Sequence, residues 1–482
     1  MKLLKSSFLV LFSILLISCS EKEDVPSNIQ VQNFVWKGLN AYYLWQKDVP
    51  DLADRRFGND NELYSYLSGY ENPANLFYNL LHIPKEYPKD PNKTYSWIVD
   101  DYIALEQSFQ GIRKTTGMKV KGAEFDNGSG YYVFVYDVVK GSDAETKGVT
   151  RGMLITEVNG ITLTESNVND VFANDSFTIH LADFNAGNPI TNGTTINLNK
   201  AETTENPIKE AKVIVDGSHT IGYLLYNQFS RDYDGELNAE FASFKNQGIT
   251  DLIIDLRYNG GGSVQTTTYL AGMITGGNNN QLFSKEVWNS KVIANSNPDN
   301  FINNFTDKIL NKNAEGDVLL DEAINSLNLD KIHFIVSENT ASASELIING
   351  LKPYIDVTLV GAQTYGKHVG SITLYDSDNF RKNGPNFRRN HAWAMQPIVL
   401  EIQNKNGENK PDGFIPDIPL DENPGNLGVL GDPSEPLLQR TIEFITTGAK
   451  GFSMNRAKST FHSTWNSSMA NPDYNNMYVE LK

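Results

Sequence analysis

The feature that most constrains this 482-residue chain is a strand–turn–helix–strand pattern between residues 331 and 371. Residues 332–336 form a short apolar run with β-branched side chains, which predicts a buried strand. A turn rich in Ser and Thr follows, and the apolar stretch that begins at Glu345 predicts a helix that ends before Pro353. Residues 357–360 predict a second buried strand. Such units belong to α/β folds and present functional side chains at the carboxyl ends of their strands.

Ser342 and Lys367 each follow one of these predicted strands. A serine hydroxyl is a weak nucleophile that needs an adjacent base, and a lysine amine is a base only when burial or a cationic neighbour favours its neutral form. Pairs of Ser and Lys form one variant of the hydrolytic triad. The N–H of Ala343, in the first helical turn, has no partner in the helix and is free to face an oxyanion. The alternative interpretation is a helix cap at Ser342 and a solvated loop lysine.

The segment from Gly361 to Lys367 also matches the first seven positions of a phosphate-binding loop. The eighth position of that motif is Ser or Thr, whereas this chain has His368. A phosphate-binding loop must open a helix, whereas residues 369–375 alternate as a strand does. The sequence therefore disfavours a nucleotide site here.

Four motifs, taken in order, resemble the C-terminal processing (tail-specific) serine peptidases. They are DLIIDL with RYNGGG at residues 251–262, TASASE at 340–345, the GK pair that ends at Lys367, and DGFIPD at 412–417. Each motif alone is weak, whereas the four together in this order are specific. The resemblance implies a crotonase-like α/β catalytic core. It also implies a serine endopeptidase that cleaves polypeptides near their C-terminal ends without a cofactor.

The resemblance also assigns roles to individual residues. The nucleophile, the general base and two oxyanion donors fall on Ser342, Lys367, Gly261 and Ala343. Many members of the family carry a Gln four positions after the lysine to orient it, and this chain has Ser371 there. Ser371 and Glu345 are the two candidates for a third member of the site, although Glu345 also suits a first helical turn through its charge. The missing Gln keeps open a different function, that of a catalytically inactive surface lipoprotein that binds peptides.

Residues 116–200 change to a pattern of strands and turns that includes the hairpin dipeptide Asn159-Gly160. The segments GSDA at 141–144 and GMLITEVNG at 152–160 resemble a PDZ domain. This resemblance implies capture of an extended peptide at a sheet edge, often by its terminal carboxylate. The alternative is a sheet domain that binds no ligand.

The amino-terminal residues predict export. Two lysines precede the apolar run 8–17, which is too short to span a bilayer and is typical of a signal peptide at residues 1–18. LISC at residues 16–19 resembles the lipobox of bacterial lipoproteins, so we expect cleavage before Cys19 and lipid attachment there. The acidic residues that follow resemble a surface-export signal of Bacteroidetes lipoproteins. We therefore expect a cell-envelope protein, anchored by lipid to the outer membrane at its periplasmic or its exposed face.

The remaining patterns predict five further regions. They are a tether at 19–30, a helical N-terminal domain at 31–115, the PDZ-like domain at 116–200, the peptidase domain at 201–450 and an unassigned tail at 451–482. Within the peptidase domain, residues 276–330 predict an insertion over the site, either a lid or a surface excursion. The net charge of −17 argues against nucleic acid as a partner. Seven His and one Cys without paired spacing predict no metal site.

Overall fold

The computed structural model describes residues 25–88, 90, 93–125, 128–185, 188–450 and 463–480. The predicted signal peptide and Cys19 lie outside this range, as does most of the predicted tether. Within the described ranges, no helix has both the length and the hydrophobicity that crossing a membrane requires.

The first part of the chain is mainly helical. Its elements are α1 (Gln30–Tyr42), α2 (Asp60–Leu67), α3 (Pro73–Asn79), α4 (Ile83–Glu86), β1 (Trp97–Val99) and α5 (Tyr102–Phe109), with 3-10 helices at Ser27–Ile29, Gln46–Asp48 and Pro50–Leu52. Side-chain oxygens of Asn59, Asn72 and Asp101 cap α2, α3 and α5. The strand β1 breaks the predicted run of helices because it pairs with residues 394–396, far along the chain.

The second part is a unit of strands with two short helices. Its elements are β2 (Ile112–Thr115), β3 (Met118–Glu124), β4 (Tyr131–Val138), α6 (Asp143–Thr146), β5 (Leu154–Val158), β6 (Ile161–Thr162), α7 (Val168–Ala173), β7 (Ser176–Asn185), β8 (Asn188–Asn199) and β9 (Ala201–Thr204). We call it the β-rich unit. Strands β3, β4, β5, β7 and β8 form an antiparallel sheet in that order. Asn159 and Gly160 have φ angles of 54° and 75° and connect β5 to β6, which confirms the predicted hairpin turn.

The third part alternates strands and helices. Its elements are β10 (Ile208–Asp216), β11 (His219–Tyr226), α8 (Asp234–Asn246), β12 (Asp251–Asp255), β13 (Gly262–Ser263), α9 (Val264–Thr275), β14 (Leu282–Trp288), α10 (Ser290–Ala294), β15 (Ile302–Asn304), β16 (Lys308–Lys312), β17 (Val318–Ala323), β18 (Lys331–Val336), α11 (Ala343–Leu351), β19 (Asp356–Gly361), β20 (Val369–Ser371), β21 (Leu374–Tyr375), β22 (Ala394–Gln396), β23 (Ile398–Gln403), β24 (Ile418–Pro419) and α12 (Pro436–Thr447), with 3-10 helices at Arg231–Tyr233 and Pro298–Phe301. The predicted insertion at 276–330 contains β14 to β17, of which β14 and β15 join a larger sheet and β16 and β17 form a hairpin.

A six-stranded sheet of order β10-β11-β12-β18-β19-β24 organises this third part. It is parallel from β11 onward, which confirms the predicted α/β class. Its central strands are continuous apolar runs because both faces are covered. Residues of α8, α9 and α11 share a core with one face, and residues of α12 share a core with the other. The carboxyl ends of β12, β18 and β19 therefore lie side by side at one edge.

Residues 463–480, the described end of the chain, contribute strands both to the sheet of the β-rich unit and to a second sheet of the third part. We call these residues the tail segment. It contains β25 (Trp465–Asn466), a 3-10 helix (Ser467–Ala470) and β26 (Met477–Tyr478). Strand β25 pairs antiparallel with β3 at the edge of the β-rich sheet. Strand β26 lies between β13 and β20 in a second six-stranded sheet of order β13-β26-β20-β23-β14-β15.

Candidate active site

Ser342 lies at the turn between β18 and α11. Its backbone has φ 65° and ψ −116°, a conformation that a residue with a Cβ rarely adopts. The side chain is buried, and its hydroxyl oxygen has no hydrogen-bond partner among the residues that the structure describes. An unpaired buried hydroxyl and a strained backbone are both unfavourable for stability. Their combination at a strand end is typical of a residue held ready for a ligand.

The carboxylate of Glu345 connects the loop of Ser342 to the loop of Lys367. It accepts hydrogen bonds from the backbone N–H of Ser342 at 3.0 Å and from those of Gly366 and Lys367 at 2.8 Å each. The Thr364 hydroxyl donates to it at 2.6 Å. Burial raises the pKa of Glu345 to about 7, although these donors act in the opposite direction. Glu345 thus fixes the backbone of both loops.

Lys367 is buried, and its amine donates a hydrogen bond of 2.8 Å to the carbonyl oxygen of Asn475 in the tail segment. The amine also lies 5.1 Å from the centre of the Tyr95 ring. Burial lowers the pKa of this amine to about 7, while the carboxylates of Glu86 and Glu345 act in the opposite direction. A substantial fraction of Lys367 is therefore uncharged at neutral pH. Lys367 and Ser342 line the same small pocket.

Gly261 packs directly against the nucleophile turn. Its φ is 118°, and a Cβ at this position would lie 2.7 Å from the Cβ of Ser342 and 3.0 Å from the backbone nitrogen of Ala343. The same Cβ would lie 2.4 Å from the carbonyl oxygen of Asn476, so the close approach requires glycine. The structure thus brings the two predicted oxyanion donors, Gly261 and Ala343, to one side of Ser342.

Asn259 holds the Gly261 loop in place, a role that the sequence motif did not reveal. Its side-chain oxygen accepts the N–H of Gly261 at 2.9 Å, so this donor is engaged within the protein. Its side-chain nitrogen donates to the carbonyl of Tyr226 at 2.9 Å. Its backbone carbonyl accepts from Ala341 N–H at 3.2 Å and from the Ser344 hydroxyl at 3.0 Å. Asn259 therefore links three segments around the site.

Ser371, one of the two candidates for a third member, is buried, but its hydrogen bonds lead elsewhere. Its hydroxyl oxygen lies 3.0 Å from Oδ1 of Asn476 and 3.2 Å from the carbonyl oxygen of Met477, both in the tail segment. The Lys367 amine is instead bonded to Asn475. Neither Ser371 nor Glu345 hydrogen-bonds the amine within the described residues.

A buried ion cluster supports the loop that carries Gly261. The Arg257 guanidinium is fully buried and donates to Asp255 at 2.7 Å and to Glu435 at 2.6 and 2.9 Å. The backbone carbonyl of Arg257 accepts a hydrogen bond from the Ser337 hydroxyl, in the turn that leads to Ser342. The cluster thus ties the two loops on either side of the candidate nucleophile to the sheet edge.

The part of the chain that the structure describes shows neither a phosphate-binding loop after Lys367 nor a cluster of metal ligands. The residues after Lys367 form β20 rather than a helix, so the phosphate-loop requirement fails as the sequence predicted. Among the described residues, no group of three or more His, Cys, Asp or Glu side chains is arranged to hold a metal ion.

Two protein-family models match this chain, one in the α/β part that carries Ser342 and Lys367 and one in the helical first part. A model described as peptidase family S41 matches residues 220–419. A second model, described as the peptidase S41 N-terminal domain, matches residues 30–97. The chain belongs to the S41 peptidase family, which confirms the resemblance to C-terminal processing peptidases.

Similar proteins and a similar solved structure agree with this assignment. The chain is 23% identical over 363 residues to a "Probable CtpA-like serine protease" of Staphylococcus aureus strain COL, covering 74% of this chain and 60% of that protein. The protein of the same description in strain N315 is 24% identical over the same coverage. The chain thus spans about 60% of the length of these relatives. Among solved structures, a "Putative S41 protease" from Bacteroides fragilis matches with a TM-score of 0.61 and 20% identity, over 86% of this chain and 97% of that one. This likeness concerns the fold.

Proposed function

We propose that this protein is a serine endopeptidase that cleaves polypeptides near their C-terminal ends, with Ser342 as nucleophile and Lys367 as general base. One observation carries the proposal. Ser342, on a strained turn and with a buried hydroxyl that has no partner among the described residues, lines the same small pocket as Lys367, whose buried amine has a pKa lowered to about 7. Such an amine is neutral often enough to accept a proton from serine at physiological pH.

The chemistry proceeds in two stages. The Ser342 oxygen attacks a peptide carbonyl carbon while the Lys367 amine takes the hydroxyl proton, and the carbonyl oxygen becomes an oxyanion near Ala343 and Gly261. Lys367 then returns the proton to the leaving amine, and a serine ester remains. Water, activated by the neutral amine, hydrolyses this ester. Before the first stage the lone pair of the Lys367 amine must be directed at the Ser342 hydroxyl, which it does not contact by a hydrogen bond in the described residues, and the Gly261 N–H must release Asn259.

The remaining details of the architecture are part of the same proposal. We assign the α/β core as crotonase-like, the segment 31–115 as a helical N-terminal domain and the β-rich unit as a PDZ-like domain that holds polypeptide substrates. The outer edge of β3, where β25 of the tail segment pairs beside helix α7, supports the last assignment, because a peptide can add to a sheet edge in the same way. We also propose that lipid on Cys19 anchors the protein to the outer membrane, facing the periplasm or the exterior.

A second candidate function is that of an inactive peptide-binding lipoprotein. The observation that favours it is the Lys367 amine, which is bonded to a carbonyl of the tail segment instead of to Ser342. In that case the site would bind polypeptides without hydrolysing them.

A serine-directed probe distinguishes the two functions. We expect a fluorophosphonate to form an adduct on Ser342 and the protein to degrade reduced, unfolded casein. Ser342→Ala loses both properties, whereas Ser65→Ala, which changes an exposed serine, retains both. An adduct or casein cleavage that persists in Ser342→Ala would overturn the assignment of the nucleophile. Wild-type protein that lacks both properties would favour the inactive binder.

The pH dependence of the reaction follows from Lys367. The base must be neutral, so kcat/KM should rise with pH by about tenfold per unit below a midpoint near 7, and level off above it. Glu345 also titrates near 7, and its negative charge raises the pKa of Lys367. In Glu345→Gln the rising limb should therefore persist and move to lower pH. The measurement is initial casein cleavage from pH 5 to 9 with the folded fraction monitored. Two results would contradict Lys367 as the base. One is a wild-type kcat/KM that falls between pH 5 and 7, and the other is a Glu345→Gln variant whose kcat/KM shows no rise with pH.

A further inference from the structure

The first part of the tail segment lies in a groove of the β-rich unit. Trp465 pairs with Gly122 on β3, and the N–H of Thr464 donates to the Gly122 carbonyl at 3.0 Å. The Trp465 ring stacks on Phe172 of α7, with centroids 5.8 Å apart and planes 15° apart. Its indole N–H donates to Asn169, also on α7, at 2.8 Å. The chain thus binds itself between a sheet edge and a helix, as a peptide ligand would.

The second part of the tail segment lies across the candidate active site. Strand β26 is inserted between β13, which follows Gly261, and β20, which follows Lys367. The N–H of Gly262 donates to the Asn476 carbonyl at 2.6 Å, and the N–H of Val479 donates to the Ser371 carbonyl at 3.1 Å. The tail therefore fills the position in which an extended substrate would add to either strand.

Two contacts of the residues just before this strand hold the site in an arrangement that differs from the one the proposed chemistry needs. The Asn475 carbonyl accepts a hydrogen bond from the Lys367 amine, and within the described residues this amine makes no hydrogen bond to the Ser342 hydroxyl. The Asn476 carbonyl oxygen lies so close to Gly261 that a Cβ there would be 2.4 Å away, so it occupies the space beside a proposed oxyanion donor. The same tail residues thus engage the base and crowd the donor.

A cavity of about 400 Å³ follows the tail from one groove to the other. Its lining includes Phe172 and Trp465 on the side of the β-rich unit, and Gly261 and Tyr478 on the side of the α/β core. Between the grooves, Asp473 forms an ion pair with Arg113. The cavity therefore connects the two grooves alongside the tail.

We propose that the tail segment is an intramolecular peptide ligand that occupies both the substrate groove of the β-rich unit and the catalytic cleft, and that it keeps the site closed until a polypeptide displaces it. This inference rests on the proposed peptidase function. It also defines a substrate class. The groove between β3 and α7 accepts an internal segment with a large aromatic side chain, because the chain continues from Trp465 into the catalytic cleft.

The experiment releases the tail at Trp465. Trp465→Ala removes the stacking on Phe172 and the hydrogen bond to Asn169, while Met469→Ala changes an exposed side chain of the same segment and serves as the matched control. A fluorescent peptide with the sequence of residues 463–480 is titrated against each variant in the Ser342→Ala background. We expect binding about tenfold tighter to Trp465→Ala than to the parent or to Met469→Ala, since an internal competitor has been weakened.

Catalysis is measured separately in proteins that retain Ser342. We expect Trp465→Ala to raise kcat/KM for unfolded casein by about tenfold, with Met469→Ala equal to wild type. If Trp465→Ala loses its folded-state thermal transition, Ser467→Ala takes its place, because it removes from the tail side the hydrogen bond that the Ser467 hydroxyl accepts from Val120 N–H on β3 and leaves the groove unchanged.

The outcomes separate the two proposals. Equal peptide binding and equal cleavage in wild type and the released variant overturn the closed-site inference and leave the peptidase function standing. Tighter peptide binding together with no casein cleavage and no fluorophosphonate adduct in any variant supports the tail as ligand and overturns the peptidase function. Tighter binding with faster cleavage supports both.

Discussion

Replacement of Lys367 by methionine should lower kcat/KM for unfolded casein by about 10³-fold or more, because the reaction loses its only proposed base. Methionine keeps the length and apolar volume of the side chain, so the pocket stays filled. In the folded state the amine makes one hydrogen bond, to Asn475, and its burial disfavours the charged form. Removal of the amine should therefore not lower the thermal midpoint of unfolding appreciably. Initial rates and thermal unfolding are measured on the same preparation.

Lys245→Met is the control for this change. Lys245 is an exposed lysine on α8 that does not line the pocket, so the control makes the same substitution elsewhere and should leave the rate at the wild-type value. The fluorophosphonate adduct on Ser342 should also form much more slowly in Lys367→Met, since an unassisted hydroxyl is a weak nucleophile. A Lys367→Met protein that cleaves casein within about tenfold of wild type would remove Lys367 from the mechanism.

Arg257→Met should lower the free energy of unfolding by about 3–5 kcal/mol. The guanidinium is fully buried between Asp255 and Glu435, which are themselves fully or almost fully buried. Methionine would leave these two carboxylates without a cation in a site from which water is excluded. The measurement is urea unfolding monitored by tryptophan fluorescence, compared with Arg55→Met, which changes an exposed arginine and should lie within about 0.5 kcal/mol of wild type.

The pH dependence of this loss gives a second check. Burial already raises the pKa of Asp255, while Arg257 acts in the opposite direction. Without Arg257 the pKa of Asp255 in the folded state rises further above its value in the unfolded chain, so the folded state of the variant gains stability as Asp255 is protonated. The deficit of Arg257→Met relative to wild type should therefore shrink as the pH falls from 8 to 5. A deficit that grows over this range would contradict the role given to the ion cluster.

The central unit of the fold could be predicted from the sequence because its signals are local. Strands β18 and β19 are apolar runs that end near the predicted residues, and α11 spans Ala343–Leu351, ahead of Pro353. Both of these strands lie inside a covered parallel sheet, where burial on two faces produces continuous hydrophobicity. The predicted α/β class rests on the same kind of signal.

The arrangement of the site could be predicted less well from the sequence, because its contacts join distant parts of the chain. Glu345 was a candidate for the third member of the site, with a role in a helical turn as the alternative, whereas its carboxylate accepts hydrogen bonds from the backbones of two separate loops, at Ser342 and at Lys367. Strands β25 and β26 have two residues each, too few for any periodicity to appear. The tail segment was therefore left unassigned, although it contacts Lys367 and lies beside Gly261.

The parallel placement of β26 between two strands determines what opening the cleft entails. Withdrawal of the tail splits the second sheet and leaves the backbone N–H of Gly262 and the carbonyl of Ser371 without the partners they now have. An incoming polypeptide restores these bonds only if it is extended, because β-type pairing requires that backbone shape. Withdrawal of the tail and binding of the polypeptide are then a single exchange of one strand for another. Well-folded proteins are excluded from the cleft because their backbones are already paired, and no separate gate is needed for this.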